Sequence, residues 1–369
     1  MQSPRFYTCS CQSQSQRSFS PLAEHLPERT APELLYLQTK WASLMSYGLT
    51  VELLEEVLPI DASVATVFRN LHTVAERSES ELGDEQYAFI DGCQRDWDNL
   101  PRPDRPMTVG IDGGYVQARE GENRKAGFLE AIVGKIITAE GEKKSFGFVN
   151  GYDQKPKRRL FEMLKAQGLQ MNQTITFLSD GGDTVRDLQF YHSPCSEHLL
   201  DWFHITMRIT VMKQICAGLP QDELLQDIEK NLDLVKWYLW HGNVFMALQI
   251  LDDVIFDMEE FDEENSVVSN LFKHLSEFQT YIAQNRTFIP NYGDRYRYGE
   301  TISTAFVEST VNQVVSKRMV KKQQMLWTKK GAHLLLQVRT QVLNDDWRKT
   351  FCRWYPQMRN TEEDIQRAA

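Results

Sequence analysis

The sequence lacks any stretch able to cross a membrane as a helix: no run in its 369 residues approaches the roughly 18 to 20 consecutive apolar positions required. Its first residues, Met1-Gln-Ser-Pro-Arg-Phe-Tyr7, have no apolar core of the kind a secretory signal carries. Six cysteines, mostly scattered, do not make a disulfide framework and read as reduced cytoplasmic thiols. The one cysteine cluster, Cys9-Ser-Cys11, has no second pair at ligand spacing, so zinc is not expected there. Neither a Gly-x-x-x-x-Gly-Lys-Ser/Thr loop nor a Gly-x-Gly-x-x-Gly after a strand is present, which leaves ATP-driven and dinucleotide chemistry without a motif.

What remains is a soluble globular composition, with 41% hydrophobic and 25% charged residues and a mean hydropathy of −0.45. The length is enough for two or three domains. A net charge of −10 argues mildly against nucleic acid as a partner, but the charge is segregated. Leu251–Asn265 holds eight acids and no base, whereas Ser309–Asn344 holds seven bases and no acid: Lys317, Arg318, Lys321, Lys322, Lys329, Lys330 and Arg339. A second basic cluster is Lys155, Lys157, Arg158 and Arg159. Such runs are most often solvated faces. The first carries more weight because it begins directly behind Glu308, where a phosphate backbone beside a metal site would lie.

Periodicity divides the chain. Residues 1–30 form a polar segment, and 31–98 read as a helical DNA-binding domain. There Pro59 and Asp61 separate a short helix (50–57) from a longer one (63–79) bearing Arg69, His72 and Arg77, as in a helix-turn-helix. After a Pro/Asp/Arg linker, strand-like runs at 107–112, 128–138 and 145–150 precede a helix (157–167), a strand (174–179), a helix (184–190) and a strand-like 197–203. Strands followed by alternating helices and strands predict an α/β class, an RNase H-like mixed sheet flanked by helices over 106–204. An all-α insertion is expected at 205–298, the last core helices at 299–345 and a C-terminal segment at 346–369.

Three carboxylates stand out in this pattern. Asp112 closes the stretch Met107–Ile111, Asp180 closes Ile175–Ser179, and Glu308 shares an apolar stripe with Val311, Val314, Val315 and Met319 in a helix expected at 303–320. Cleavage of a phosphodiester by in-line displacement uses two divalent ions about 4 Å apart. Hard oxygen ligands that leave coordination positions open suit them. Each aspartate is followed by two glycines, which predicts a sharp turn and a close approach of a nucleic-acid strand. Asp183 and Asp187 are rivals for the second ligand, though Asp183 in a first helical turn needs no role beyond the helix dipole. His204, in Asp201-Trp-Phe-His204, is the candidate donor or water-positioning group, with a half-buried structural histidine as the alternative.

On Gly110-Ile-Asp-Gly-Gly-Tyr115, Leu178-Ser-Asp-Gly-Gly182, Asp201-Trp-Phe-His-Ile-Thr-Met-Arg208, Glu308-Ser-Thr-Val-Asn312 and Trp327-Thr-Lys-Lys-Gly331, the chain resembles bacterial insertion-sequence transposases of the ISKra type, relatives of the Mutator-like DDE transposases. Near the N-terminus the likeness rests on Phe19–Arg29 and Pro32–Trp41. It implies Asp112, Asp180 and Glu308 as the acidic triad, acting with magnesium (manganese able to substitute), and His204 as assistant. It also implies recognition of terminal inverted repeats by the N-terminal helices, a homodimer or larger synaptic oligomer, and a cytoplasmic, nucleoid-associated location. Members of the family carry further sequence, with more cysteines, ahead of the point where this chain begins, so a shortened copy or a late start is expected. Two alternatives stand beside a working transposase: a catalytically silent DNA-binding copy and an RNase H-like repair nuclease.

Overall fold

The computed structural model describes residues 6–7, 18–19, 30–86, 89, 95, 99, 101, 107–119, 127–138, 141–182, 187–188, 196–218, 223–259, 266–320 and 325–358. Among them the architecture is mixed α/β, with one five-stranded mixed sheet and twelve α-helices, besides a two-stranded pairing of β1 (Phe6–Tyr7) with β2 (Ser18–Phe19). None of these helices is long and apolar enough to cross a membrane. Cys9, Cys11, Asp183, Lys321, Lys322 and most of the expected helix at 184–190 lie outside the described residues.

Three helices come first: α1 (Pro32–Leu44), α2 (Tyr47–Val57) and α3 (Val64–Glu81). Pro32 opens α1 in the first turn, where its missing N–H costs nothing, while the Ser46 and Ser63 side chains cap α2 and α3 by accepting from Leu49 and Thr66 N–H. These helices have no core of their own. Leu35, Leu54, Leu71 and Val74 join one buried cluster with Val116, Leu129, Ala131 and Val133 of the sheet and with Leu335, Val338, Trp347 and Phe351 near the C-terminus. The three helices therefore share one buried cluster with the sheet and the C-terminal helices.

The sheet is built from β3 (Met107–Gln117), β4 (Phe128–Ile137), β5 (Lys143–Val149), β6 (Ile175–Ser179) and β7 (Glu197–Leu200), in the order β5-β4-β3-β6-β7. β4 runs antiparallel to β3 and β5, while β6 and β7 run parallel to β3. Strand alternation sorts the side chains. Met107, Val109 and Ile111 face a second core with Phe146, Phe148, Ile175, Phe177 and α4 (Pro156–Ala166), leaving Gly110, Asp112, Gly114 and Val116 on the opposite face.

After β7 comes a run of helices: α5 (Trp202–Ala217), α6 (Glu223–Trp240), α7 (Val244–Glu259), α8 (Ser266–Gln284), a 3-10 turn at Arg286–Phe288 and α9 (Tyr292–Arg297). Their buried residues form a third cluster with Leu200 of β7, in which Ile205, Leu232, Leu251, Leu275 and Phe278 are fully or almost fully buried. The chain then returns as α10 (Ala305–Val311), which widens into a π-helix at Asn312–Val320, followed by α11 (Lys329–Leu343) and α12 (Trp347–Trp354).

Candidate active site

Register places the aspartates. Gly110 of β3 stands beside Leu178 of β6, and Ser179 stands beside Leu200 of β7. Continuing those pairings puts Asp112, Asp180 and Asp201 in one row across three parallel strands, at the adjacent-strand spacing of about 4.8 Å. The Asp201 N–H donates to the Ser179 carbonyl at 2.8 Å, which holds the row together at its outer end.

The two Asp-Gly-Gly elements differ, contrary to their shared motif. Asp180 leaves β6 into a turn in which Gly181 has φ +84°, and its Oδ1 accepts from Gly182 N–H at 3.0 Å. Asp112 does not end a strand: β3 continues through it to Gln117, so Gly113 and Gly114 remain extended. Their neighbourhood explains the glycines. A Cβ on Gly114 would lie 2.8 Å from Val311 Cγ1, and one on Gly110 would overlap the Val307 side chain. Bare backbone at these two positions lets α10 and the π-helix lie directly on β3 beside Asp112.

Glu308 arrives on that helix. The apolar stripe at Val311, Val314, Val315 and Met319 is buried as expected, but Glu308 is not part of it. Val307 takes the inward position, and Glu308 is exposed in the first turn of α10. The argument from a costly inward-facing glutamate therefore does not apply. Proximity does: both Asp180 and Glu308 act electrostatically on Asp112. Burial chiefly, and then repulsion from those two carboxylates, raise Asp112 above the usual carboxyl range, against the lowering effects of the Gly113 N–H and His204.

His204 completes the group from the first turn of α5. The structure makes Asp201 the N-cap of that helix, so Trp202 and Phe203 are helical and not part of the strand-like run expected to 203. Asp201 is fully buried. Its Oδ1 accepts from Phe203 N–H at 3.0 Å and from Thr304 N–H at 2.8 Å; its Oδ2 pairs with His204 Nδ1 at 2.6 Å and accepts from the Thr304 hydroxyl. Burial alone would raise Asp201, but these bonds from His204 and Thr304 hold it below the usual range. For His204, burial lowers the affinity for a proton. The Asp201 hydrogen bond and the fields of Asp201, Asp180 and Asp112 outweigh it, so the imidazole keeps its proton to higher pH than an ordinary histidine. Thr304 was not legible as a site residue: it precedes α10 like an N-cap, yet its hydroxyl is given to Asp201, which ties the start of α5 to the start of α10.

No lysine or arginine forms an ion pair with Asp112, Asp180 or Glu308 among the described residues. Asp112 Oδ1 accepts from Gly113 N–H at 2.8 Å, so each aspartate spends one oxygen on its own backbone and keeps the other. Three oxygen-donor side chains, mutually repelling and partly open to solvent, suit hard divalent cations. The arrangement is an open one. Among the described residues, the set of three candidate ligands whose donor atoms all lie within 4.8 Å of one another is a different one, Glu79, Asp153 and His333. That set already surrounds a cation: Arg159 donates from Nη1 and Nη2 to Glu79, both at 2.9 Å, and from Nε to Asp153 at 2.9 Å. It is the shell of a buried guanidinium, which fills the place a metal would take.

The basic clusters fare unevenly. Arg159 is withdrawn from the DNA-facing set because it is buried in that shell. Arg318 is withdrawn as well: it is fully buried, donates from Nε to the Ala42 carbonyl at 3.0 Å and lies over the Tyr47 and Trp327 rings. Burial pulls it down to about 10, Tyr47 opposing. Arg339 of the same run is also buried, its Nε donating to the Val314 carbonyl at 2.7 Å. Arg158 pairs with Glu162 at 2.6 Å, Lys155 lies 3.7 Å from Asp84, and the Lys157 backbone N–H donates to Glu85 at 3.2 Å. Arg77 packs over the Trp354 ring at 4.4 Å. Arg69, Lys317, Lys329 and Lys330 are exposed, Lys330 in a 2.7 Å pair with Glu76. Asp187, the rival second ligand, is exposed and is not among the groups acting on Asp112.

No protein-family model matches this chain, and no curated protein matches it in sequence.

Proposed function

We propose that this chain is a DNA transposase of the insertion-sequence DDE type, with an RNase H-like catalytic core that cleaves and rejoins phosphodiester bonds at terminal inverted repeats. The observation that carries the reading is the meeting of Asp112, Asp180 and Glu308 beside His204, from two neighbouring strands, from helix α5 after β7 and from α10. The strand order supports it: an RNase H-like sheet would run third, second, first, fourth, fifth, with the second strand alone antiparallel.

Asp112, Asp180 and Glu308 would hold magnesium, or manganese in its place, which when bound supplies charge stabilisation for in-line displacement at phosphorus. Asp112 feels both other carboxylates and would be the ligand nearest to both. His204, with Nδ1 fixed on Asp201, keeps Nε2 as its remaining hydrogen-bonding atom and in its charged form donates from there to an oxygen. Water would attack phosphorus at the element's end and displace the 3′-oxygen, which takes up a proton while the phosphate stays on the 5′ side; that 3′-hydroxyl would then lose its proton, attack a phosphorus of the target strand and displace the target's own 3′-oxygen. Exposed Lys317, Lys329 and Arg69 would supply phosphate contacts. Two ends must be synapsed, so the working unit is at least a homodimer.

The test is magnesium-dependent nicking of a supercoiled plasmid carrying the DNA that flanks this gene, with Glu308→Gln run beside the wild type. Cleavage mapped to an inverted repeat, reduced at least a hundredfold in the variant, is the expected result, a loss on the order of what a single transition-state electrostatic contact supplies. Binding without cleavage by either protein would favour a silent DNA-binding copy, and cleavage surviving in the variant would remove Glu308 from the site.

A further inference from the structure

The triad and His204 account for the reacting centre but leave an arginine at its margin without a role. Arg208 lies four residues after His204 in α5, on the same face of the helix and about 6 Å farther along its axis. It is exposed, and among the described residues it makes no ion pair and no hydrogen bond, in a chain where acids outnumber bases by 51 to 41. Its guanidinium lies 4.2 Å from the centre of the Tyr281 ring.

Tyr281 belongs to the last full turn of α8, and that end of α8 sits on the site. Asn285, whose side-chain amide donates to the Tyr281 carbonyl at 2.9 Å, packs so closely on the turn after Asp180 that a Cβ on Gly181 would lie 2.6 Å from Asn285 Oδ1. The Tyr281 hydroxyl feels Asp180, Asp201 and Arg208 together. The guanidinium thus lies over a ring that is anchored to the turn bearing a metal-ligand candidate. An arginine held over a ring keeps its N–H groups for other acceptors, and its planar fork matches a phosphate.

We infer that Arg208 binds a phosphate of the nucleic-acid strand next to the scissile one, with Tyr281 positioning its guanidinium. The inference rests on the proposed phosphodiester chemistry, and it gives the helices between β7 and α10 a part in the site: α5 contributes the cation and α8 its platform. A fixed cation one helical turn from His204 would lock the strand's register against the triad and would also offset the repulsion between a polyanion and three carboxylates.

The experiment compares wild type, Arg208→Ala, Arg208→Lys and Tyr281→Leu in two assays. Equilibrium binding of a labelled duplex carrying the inverted repeat is followed across a sodium chloride series, and magnesium-dependent nicking is followed for KM and kcat separately. Loss of one phosphate contact predicts about tenfold weaker binding for Arg208→Ala, with the slope of log affinity against log salt shallower by about 0.9. The same loss should appear as a raised KM with kcat changed far less. Arg208→Lys should keep the salt slope yet recover only part of the affinity, since a lysine neither stacks nor forks, and Tyr281→Leu should resemble it. Binding isotherms of Arg208→Ala that superimpose on wild type at every salt concentration would overturn the inference, whether or not the protein cleaves. Absence of nicking by wild type, with a salt slope still shallower in Arg208→Ala, would instead count against the cleavage reading and leave Arg208 as a phosphate contact.

Discussion

Glu79 and Asp153 enclose the Arg159 guanidinium, whereas Asp112, Asp180 and Glu308 pair with no arginine or lysine among the described residues. Both groups bring carboxylates from distant parts of the chain into one place on the same sheet. In the first, every charge has a partner: Arg159 also donates to Gln337 at 2.6 Å, and His333 Nε2 lies 3.3 Å from Glu79. In the second, the near neighbours of Asp112 include two further acids. A closed group of this kind contributes to the fold, while an open one costs stability and is kept for what it binds. The tightest acidic cluster of a molecule is thus a poor guide to its chemistry, and the decisive question is whether a side-chain cation already sits inside it.

Breaking the closed group should have the largest effect on stability. Arg159→Met removes the cation and strands Asp153, whose side chain is only 3% exposed, beside a half-buried Glu79. Leaving one member of a buried pair uncompensated costs about 3–5 kcal/mol, to be read as a fall in the denaturation midpoint with the slope unchanged. A change within roughly 0.5 kcal/mol, the range of ordinary surface substitutions, would mean that the cluster is not a structural tie.

Acid should loosen the same group by a smaller amount. Burial by itself would raise Glu79, but hydrogen bonds from His333 and Arg159 and their charges prevail and hold it at about 2, against 4.5 ordinarily. A depressed carboxyl contributes stability that is present above its unfolded value and lost as the pH falls through its folded one, here between about 4.5 and about 2. At most about 3 kcal/mol is at stake. Denaturation followed from pH 6 to pH 2.5 should therefore lose stability more steeply in the wild type than in Glu79→Gln, and parallel curves would refute the pairing.

The open group was the more legible of the two in the sequence. Short local patterns carry it: one apolar run leading into Asp112 and another ending at Asp180. Helices α1, α3 and α4 and strands β4 and β6 were likewise readable, because their boundaries depend on nearby proline, serine and the period of apolar residues. The closed group was not readable, since Glu79, Asp153, Arg159 and His333 come from four elements joined by no local rule. For the same reason Arg318 and Arg339 passed as surface charges. Their partners are main-chain carbonyls of Ala42, Ser43 and Gln313, and a carbonyl left at a helix end has no signature in composition. Glu308 was placed on the right helix but the wrong face, because the choice between it and Val307 is made by Gly110 and Gly114 on a distant strand.

The subtlest contrast is the sign of a single substitution in the open group. Asp112→Asn keeps the side chain's size and its Gly113 contact but removes a charge that burial and two neighbouring carboxylates disfavour. A carboxyl raised in the fold loses stability on ionising as pH climbs through its folded value, so the gain from asparagine is present at neutral pH and vanishes in acid. In buffer containing a chelator, the variant should melt higher than wild type, by about 0.5–2 kcal/mol in stability, where Arg159→Met falls sharply. Magnesium should then reverse the order, since a ligand that binds only the native state raises the melting temperature of the protein able to hold it. Thermal denaturation of both proteins with and without magnesium chloride reads all four values at once. Should Asp112→Asn prove less stable than wild type in chelator, or magnesium leave the wild type unmoved, the three acids would be a structural group like the one around Arg159.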